Sequence, residues 1–349
     1  MTLLDHTPVS VSSSRRLLAT PVSRRRLLRA ASLAGLAAPL GLLGARVSAQ
    51  TGAARTVKIA WSPTAVCQSP VSVALERGYF AQQGLTVENL NFGGSTDQLL
   101  EAIATGHADG GIGMALRWLK PLEQGFDVKL AVGTHGGCMR LLTADSSIKN
   151  IQDLRGKSVA VTDQASPVKN FFAIQAANLG IDPDEINWRQ YPQDLFGEAL
   201  RKGEVQALAG DDPQMYLIRE REKLNEIATN LDGDNADRTC CVLGLRGALI
   251  RNEPDVAAKL VRAVIAAQKW TAENPDESAR IFAPHVPAKV PADVLAAMLR
   301  SHTHGHASTG AQLRSEVARF TTDLKTIKVI KPTTDSVKFA SVVAPDVLI

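Results

Sequence analysis

The chain has 349 residues, 45% of them hydrophobic and 21% charged, with a formal net charge of +4. The composition is that of a soluble globular protein, and the length exceeds what one simple core holds, so two domains are expected. The positive charge does not imply a nucleic-acid partner. Seven arginines (Arg15, Arg16, Arg24, Arg25, Arg26, Arg29 and Arg46) precede residue 50 against one acid, Asp5, and without them the chain is slightly acidic.

The first 49 residues read as an export signal. Ser23-Arg24-Arg25-Arg26-Leu27-Leu28-Arg29 has the twin-arginine pattern. It precedes "ASLAGLAAPLGLLG", an apolar run of 14 residues, shorter than the roughly 20 that a spanning helix needs. Val47 and Ala49 place small residues where a signal peptidase cuts, so cleavage is expected near Ala49-Gln50. No Cys near the cut provides a lipid anchor.

From Arg55 the pattern alternates. "TVKIAW" predicts a strand, "SPVSVALERGYFAQQG" a helix ending at Gly84, and "LTVENLNF" a strand. "GGSTDQLLEAIATG" predicts a helix stopped by Gly106, and "ADGGIGM", ending at Met114, a buried strand. From Lys157 the order repeats through "KSVAVT", "SPVKNFFAIQAANLG", "EINWRQY", "DLFGEALRKG" and "VQALAG". Glu101–Gly113 and Glu198–Gly210 read alike, as "EAIATGHADGGIG" and "EALRKGEVQALAG". This is a repeat at lobe scale: two doubly wound α/β lobes with largely parallel sheets. "TCCVLGLRGALI" predicts a long strand returning to the first lobe, followed by a helical tail. Lobe 1 is expected to comprise residues 50–142 and 245–349, and lobe 2 residues 143–244, with a hinge of two chain crossings.

Open α/β sheets bind ligands beyond the carboxyl ends of their strands, so two facing crevices can enclose a small molecule. Four turns, taken as strand-to-helix turns, supply candidates: Trp61, Ser62, Gln68 and Ser69; Gly93, Gly94, Ser95 and Thr96; Thr134, His135 and Gly136; and Thr162, Asp163, Gln164 and Ser166. Helix N-termini offer free N–H groups and partial positive charge, and glycine permits close approach of the backbone. Met114, at the end of the third strand, joins this set. Trp61 suits either stacking on a planar ligand or core packing. Asp163 suits a helix cap. No phosphate-cradling glycine motif follows a strand, and no cofactor is expected.

"PVSVALERGYFAQQGLTVENLNFGGSTDQLLEAIATGHADGGIG" resembles the opening of the nitrate/sulfonate/taurine group of ABC-importer substrate-binding proteins, the SsuA/NMT1-THI5-like family. "SSIKNIQDLRGKSVAV" is similar to the family's crossover segment and "GDDPQMY" to its Asp-Pro turn. The resemblance spans about Val57 to Arg251. It implies a type II periplasmic binding fold closing on a small polar ligand, and a monomer that delivers the ligand to a permease and its ATPase. The ligand would be a sulfonate, taurine, a nitrate-like anion or a planar heterocycle. Asp212-Pro213 matches the family turn, with Asp212 either a cap or a ligand contact. Asp211 stands where relatives often carry Trp, and an acid there opposes an anion and suits an amine or ring N–H.

Two alternatives use other residues. His302, His304 and His306 in "SHTHGHAST" suit a soft or borderline metal, on what the pattern predicts as a surface loop. Cys138 lies three positions after His135, and a Cys–His pair can form a nucleophile. The resemblance adds same-fold enzymes of sulfinate and pyrimidine chemistry. The four cysteines, Cys67, Cys138, Cys240 and Cys241, allow three connectivities or plain buried thiols, with Cys138 pairing Cys240 or Cys241 if the hinge strands are neighbours.

Overall fold

β1 (Thr56–Trp61) starts the fold with an exposed–buried alternation that becomes continuous burial at Ile59, as expected of a strand entering a sheet covered on both faces. The computed structural model describes residues 56–92, 96–303 and 306–349. The export signal with its cleavage site, Gly93, Gly94, Ser95 and His304 lie outside the described residues.

Pro70 near the start of α1 (Ser69–Glu76) suits a first helical turn. The helix predicted to reach Gly84 breaks at Gly78, whose φ of 70° no helix accommodates, and resumes as α2 (Tyr79–Gln82). There follow β2 (Thr86–Asn91), α3 (Thr96–Ala104), β3 (Gly110–Met114) and α4 (Ala115–Glu123). Then come β4 (Val128–His135), β5 (Met139–Thr143), β6 (Ser158–Val161), α5 (Pro167–Asn178), β7 (Asn187–Gln190), α6 (Phe196–Arg201) and β8 (Ala207–Asp211). The chain continues through α7 (Gln214–Glu222), β9 (Asn225–Thr229), β10 (Cys241–Arg246) and α8 (Gly247–Asn252). It ends with α9 (Pro254–Glu273), α10 (Pro275–Phe282), α11 (Ala292–Ser301), α12 (Gly310–Thr326) and α13 (Ser336–Val343).

Two five-stranded sheets form, in the orders β2-β1-β3-β10-β4 and β7-β6-β8-β5-β9. In each, three parallel strands are followed by an antiparallel one. The two copies read in the sequence therefore occupy equivalent places. Their helices also end alike. Gly84, Gly106, Gly180 and Gly203 all take φ between 69° and 82°. After three of these glycines, the next residue's N–H bonds back to a helix carbonyl: Leu85 to Phe80, Ile181 to Ala176, and Glu204 to Ala199. That is the geometry of a glycine-terminated helix.

The crossings between sheets fall at residues 136–138 and 230–240, because β5 pairs in the second sheet and β10 in the first. They precede the expected boundaries at 142/143 and 244/245. The expected strand-to-helix turn at Thr134–Gly136 is corrected: no helix follows it, and it joins β4 directly to β5. The long strand expected over "TCCVLGLRGALI" is corrected: it stops at Arg246 and α8 follows at Gly247; α4, β9, α10 and α13 were also not anticipated. Among the described residues, no helix is long and apolar enough to cross a membrane.

Close approach explains the glycines of the central strands. A Cβ on Gly111 would stand 2.7 Å from the Ala60 carbonyl oxygen, and one on Gly244 2.5 Å from the Trp118 ring. Trp118 is fully buried and has no room to yield. Gly244→Ala is therefore expected to cost about 1–3 kcal/mol by overpacking. A lower urea midpoint at unchanged m reads the loss; an unchanged midpoint would contradict the packing described.

Candidate functional site

A cavity of about 260 Å³ opens between the two sheets. One wall comes from the carboxyl ends of β1 and β3 and from helices α3 and α4. The other comes from the ends of β6 and β8 and the first turn of α5. Parallel strands present their carboxyl ends, and the following helices their N-termini, to the same side of a sheet. Facing copies thus bring two such edges to one space.

Of the expected residues, Ser62, Gln68, Met114, Thr162, Asp163, Ser166 and Asp211 line this cavity. Ser166 caps α5, its Oγ accepting from Lys169 N–H. Asp163, expected as the cap, instead accepts from Ala165 N–H at 2.8 Å and from an arginine of the opposite wall. α3 begins at Thr96, directly after the undescribed glycine turn.

The others lie elsewhere. Trp61 is core: its indole N–H donates to the Gln68 carbonyl at 3.2 Å, and its ring meets Phe282 and His285 edge-on. Ser69 is fully buried in the first turn of α1. Gln164 points away, donating to the Trp188 carbonyl. Thr134, His135 and Gly136 do not reach the cavity, because β10 inserts between β3 and β4 and places β4 at the sheet's far edge.

Asp212 is wholly buried beside the crossing. Arg140 on β5 clasps it with three hydrogen bonds of 2.8–3.1 Å, and His302 Nε2–H donates to it at 3.0 Å. Burial opposes its charge, but His302 and Arg140 hold the carboxyl below its usual range. Asp212 also accepts from Tyr216 N–H in α7. It therefore caps and anchors, and does not face the cavity. The surface loop expected at His302–His306 is corrected at its described histidines. His302 is buried on Asp212, while His306 lies 3.7 Å from Glu316 of α12, so these two imidazoles serve different contacts.

The sequence reading missed Arg117, Asp97, Thr64 and Gln193. Arg117, in the first turn of α4, donates through Nε to Asp97 at 2.6 Å and through Nη1 to Asp163 at 2.8 Å, with a further Asp97 contact. It thereby bridges elements of the two sheets. All three groups are partly exposed, and such pairs are worth about 0–1 kcal/mol each, so a ligand can exchange with them cheaply. The signal for Arg117 was the strand-to-helix turn "GMALR", which has no loop and so does not look like a turn. Burial, with the nearby Cys67 and Asp212 charges, raises Asp211 to about 7, so its carboxyl is neutral in mild acid.

Gln68 is 2% exposed. Its Nε2 donates to the Ile112 carbonyl at 2.8 Å, which fixes the amide's orientation, while Oε1 is buried without a partner. An unmet buried acceptor costs about 1–3 kcal/mol.

The four cysteines are free and buried. They cluster with His135, and Cys138 Sγ lies 3.7 Å from Cys240 Sγ. Hydrogen bonding from Cys241 brings the Cys67 thiol down to about 6 against burial. The hydrogen bond to Cys240, together with burial, drives Cys138 well up. Cys138 does not line the 260 Å³ cavity. A protonated thiol outside the cavity is a poor nucleophile.

A model of the family described as NMT1/THI5 like matches residues 68–278. Among curated proteins, the chain is 26% identical over 225 residues to the nitrate import ATP-binding protein NrtC of Synechocystis sp.. That alignment covers 58% of this chain and 33% of the relative, so the chain spans about a third of the relative's length. Among solved structures, the periplasmic nitrate-binding protein NrtA of Synechocystis superposes with a TM-score of 0.69 at 16% identity, covering 85% of this chain and 87% of that one. The periplasmic aliphatic sulphonate binding protein SsuA of Escherichia coli gives 0.68 at 15%, covering 82% and 91%. The desulfurization enzyme DSZB gives 0.57 at 16%, covering 84% and 97%. These likenesses show the fold, the periplasmic binding protein fold that the resemblance led us to expect.

Removing Arg140 takes the guanidinium from a buried Asp212, leaving it, among the described residues, only His302 and the Tyr216 N–H. Arg140→Met is expected to cost about 3–5 kcal/mol at neutral pH. Because Asp212 is depressed in the folded state, its contribution is present above the ordinary carboxylate range and is lost as pH falls through its folded value. The deficit of the variant should therefore narrow on acidification. Urea melts at neutral and acid pH measure it, and a pH-independent deficit would contradict the pairing.

Proposed function

The chain belongs to the NMT1/THI5-like family, and from that premise we propose that it is the solute-binding component of an ABC importer. Two lobes, built on the two sheets, close over a small polar molecule at the 260 Å³ cavity. The segments 136–138 and 230–240 act as the hinge. The protein is exported as a monomer to the periplasm and presents its ligand to a permease driven by a separate ATPase. The twin-arginine pattern and the roles of NrtA, SsuA and NrtC support this reading. We read it as a binding protein rather than an enzyme: the Cys138 thiol lies off the cavity wall, and Cys67, which is on it, is assigned no catalytic role.

The ligand carries N–H donors. The observation that favours this is Gln68, which lines the cavity and whose buried Oε1 has no hydrogen-bond partner among the described residues. The charge balance agrees: among the described residues, Asp97, Asp163 and Asp211 line the cavity against one base, Arg117. A bare nitrate or alkanesulfonate leaves the Gln68 acceptor unmet and faces an acid excess. An aminosulfonate such as taurine, or a planar heterocycle with ring N–H, fills both needs and can place an oxygen on Arg117. Micromolar binding needs about 8 kcal/mol. Meeting Gln68 recovers about 1–3 kcal/mol, and each hydrogen bond to a charged group adds about 1.5–3. Three or four such bonds suffice before ordering costs.

Calorimetry with taurine, ethanesulfonate, nitrate and pyrimidines tests this. An N–H-bearing compound should bind at least tenfold tighter than ethanesulfonate or nitrate, and Gln68→Leu should remove that margin. Equal binding of ethanesulfonate and taurine with no heterocycle bound would refute the donor argument. Product formation that survives repurification would refute the importer reading.

A further inference from the structure

The buried Cys–His cluster has no role in the ligand reading, yet its arrangement is specific. Antiparallel pairing places Cys241 of β10 opposite Met114 of β3 on one side and His135 of β4 on the other. Residues directly opposite in a sheet point to the same face. A thioether, a thiol and an imidazole therefore stand in a row across three adjacent strands. Cys67, in the short turn of helix over Val66–Gln68, completes a group with His135 and Cys241. The three donor atoms lie within 4.8 Å of one another, and all three residues are buried. His135 Nδ1 lies 2.9 Å from the Gly136 carbonyl. Donation there fixes the ring's orientation and turns Nε2 toward the thiols, which is how metal-binding histidines are usually held.

We infer that Cys67, His135 and Cys241 form a binding site for a single soft monovalent cation, with Cu(I) the ion the donor set fits best. Thiolate and imidazole donors select Cu(I) and Zn(II) among common cations. Among the described residues, the groups of mutually close donors contain three atoms rather than four. Structural zinc takes four ligands, whereas three-coordination suits Cu(I). With bonds of about 2.3 Å to sulfur and 2.0 Å to nitrogen, donors of a trigonal site stand roughly 4 Å apart. The observed spacing thus closes with shifts of less than about 1 Å. Met114 is placed to add a weak fourth contact. Entry is through the cavity, because Cys67 and Cys241 are on its wall. A second group, His135, Cys138 and Cys240, shares the imidazole but has neither cysteine on that wall. The inference does not rest on the organic ligand: an intact importer protein can lack the metal site, and the reverse.

The test is a competition titration of Cu(I) between the full reduced chain and bicinchoninate, with Zn(II) titrated separately. One equivalent of Cu(I) should be withdrawn from the chelator. Cys67→Ser and Cys241→Ser should each weaken binding at least a hundredfold, while Cys138→Ser retains it. X-ray absorption at the copper edge of the wild-type chain gives a readout independent of variant folding, with two sulfur and one nitrogen neighbours expected. Failure to compete, unchanged affinity in Cys67→Ser, or a preference for Zn(II) would overturn the assignment. A shell of sulfur alone would do the same.

Discussion

The antiparallel ladder that β10 makes with both β3 and β4 is the constraint on which the rest of the molecule depends. A strand late in the chain enters the first sheet between two early ones. Its register, Cys241 against Met114 and Val242 against Gly113, continues to Leu245 against Gly110. This insertion brings the chain back from the second sheet, so that both sheets share one compact unit, Thr51–Ile349. It also separates β4 from the parallel trio and leaves β3 and α4 at the cavity. Glycine makes the fit possible, since Gly110, Gly111 and Gly244 stand where any Cβ would collide with neighbouring strands or Trp118.

The same crossing region concentrates buried polarity. Arg140, Asp212 and His302 come from β5, the β8–α7 turn and the end of α11, and all three are buried. Buried charges of this kind persist only when paired. The network therefore ties the C-terminal helices to the second sheet at the point where the chain leaves the first. Nearby, Gly137 and Cys138 both take φ near +90°. That conformation is costly for a cysteine, and it persists because β5 and the loop after β9 hold both sides. Met139 N–H donates to Asn230 Oδ1, and Asn230 Nδ2 donates to the Gly137 carbonyl.

At the cavity the balance of forces differs. Arg117 and its two acids are partly exposed and exchangeable. Gln68, by contrast, is held rigidly by the Ile112 carbonyl with one acceptor unmet. A recognition surface needs both kinds of group: a fixed element that sets orientation, and salt links weak enough to open. Asp211, neutral below about pH 7 through burial, adds a group able to donate in mild acid and accept above it.

The sequence by itself determined the local grammar. Alternating strand and helix patterns located β1, β2, β3, β6, β7, β8 and β10, and the glycines that stop helices fell at Gly84, Gly106, Gly180 and Gly203, because backbone conformation and the period of burial are local properties. The repeat implied two equivalent sheets for the same reason. Seven of the expected contacts, from Ser62 to Asp211, line the cavity because strand ends and helix starts can be read from nearby residues. What only the tertiary structure decided was neighbourhood. Trp61 belongs to the core because Phe282 and His285, more than two hundred residues later, pack against it. Arg117 faces Asp163 only because α4 and the β6–α5 turn meet across the cavity. His135 left the predicted site and joined Cys67 and Cys241 because β10 intervened. Each of these depends on which strand lies beside which, a long-range pairing that no residue pattern in the neighbourhood encodes.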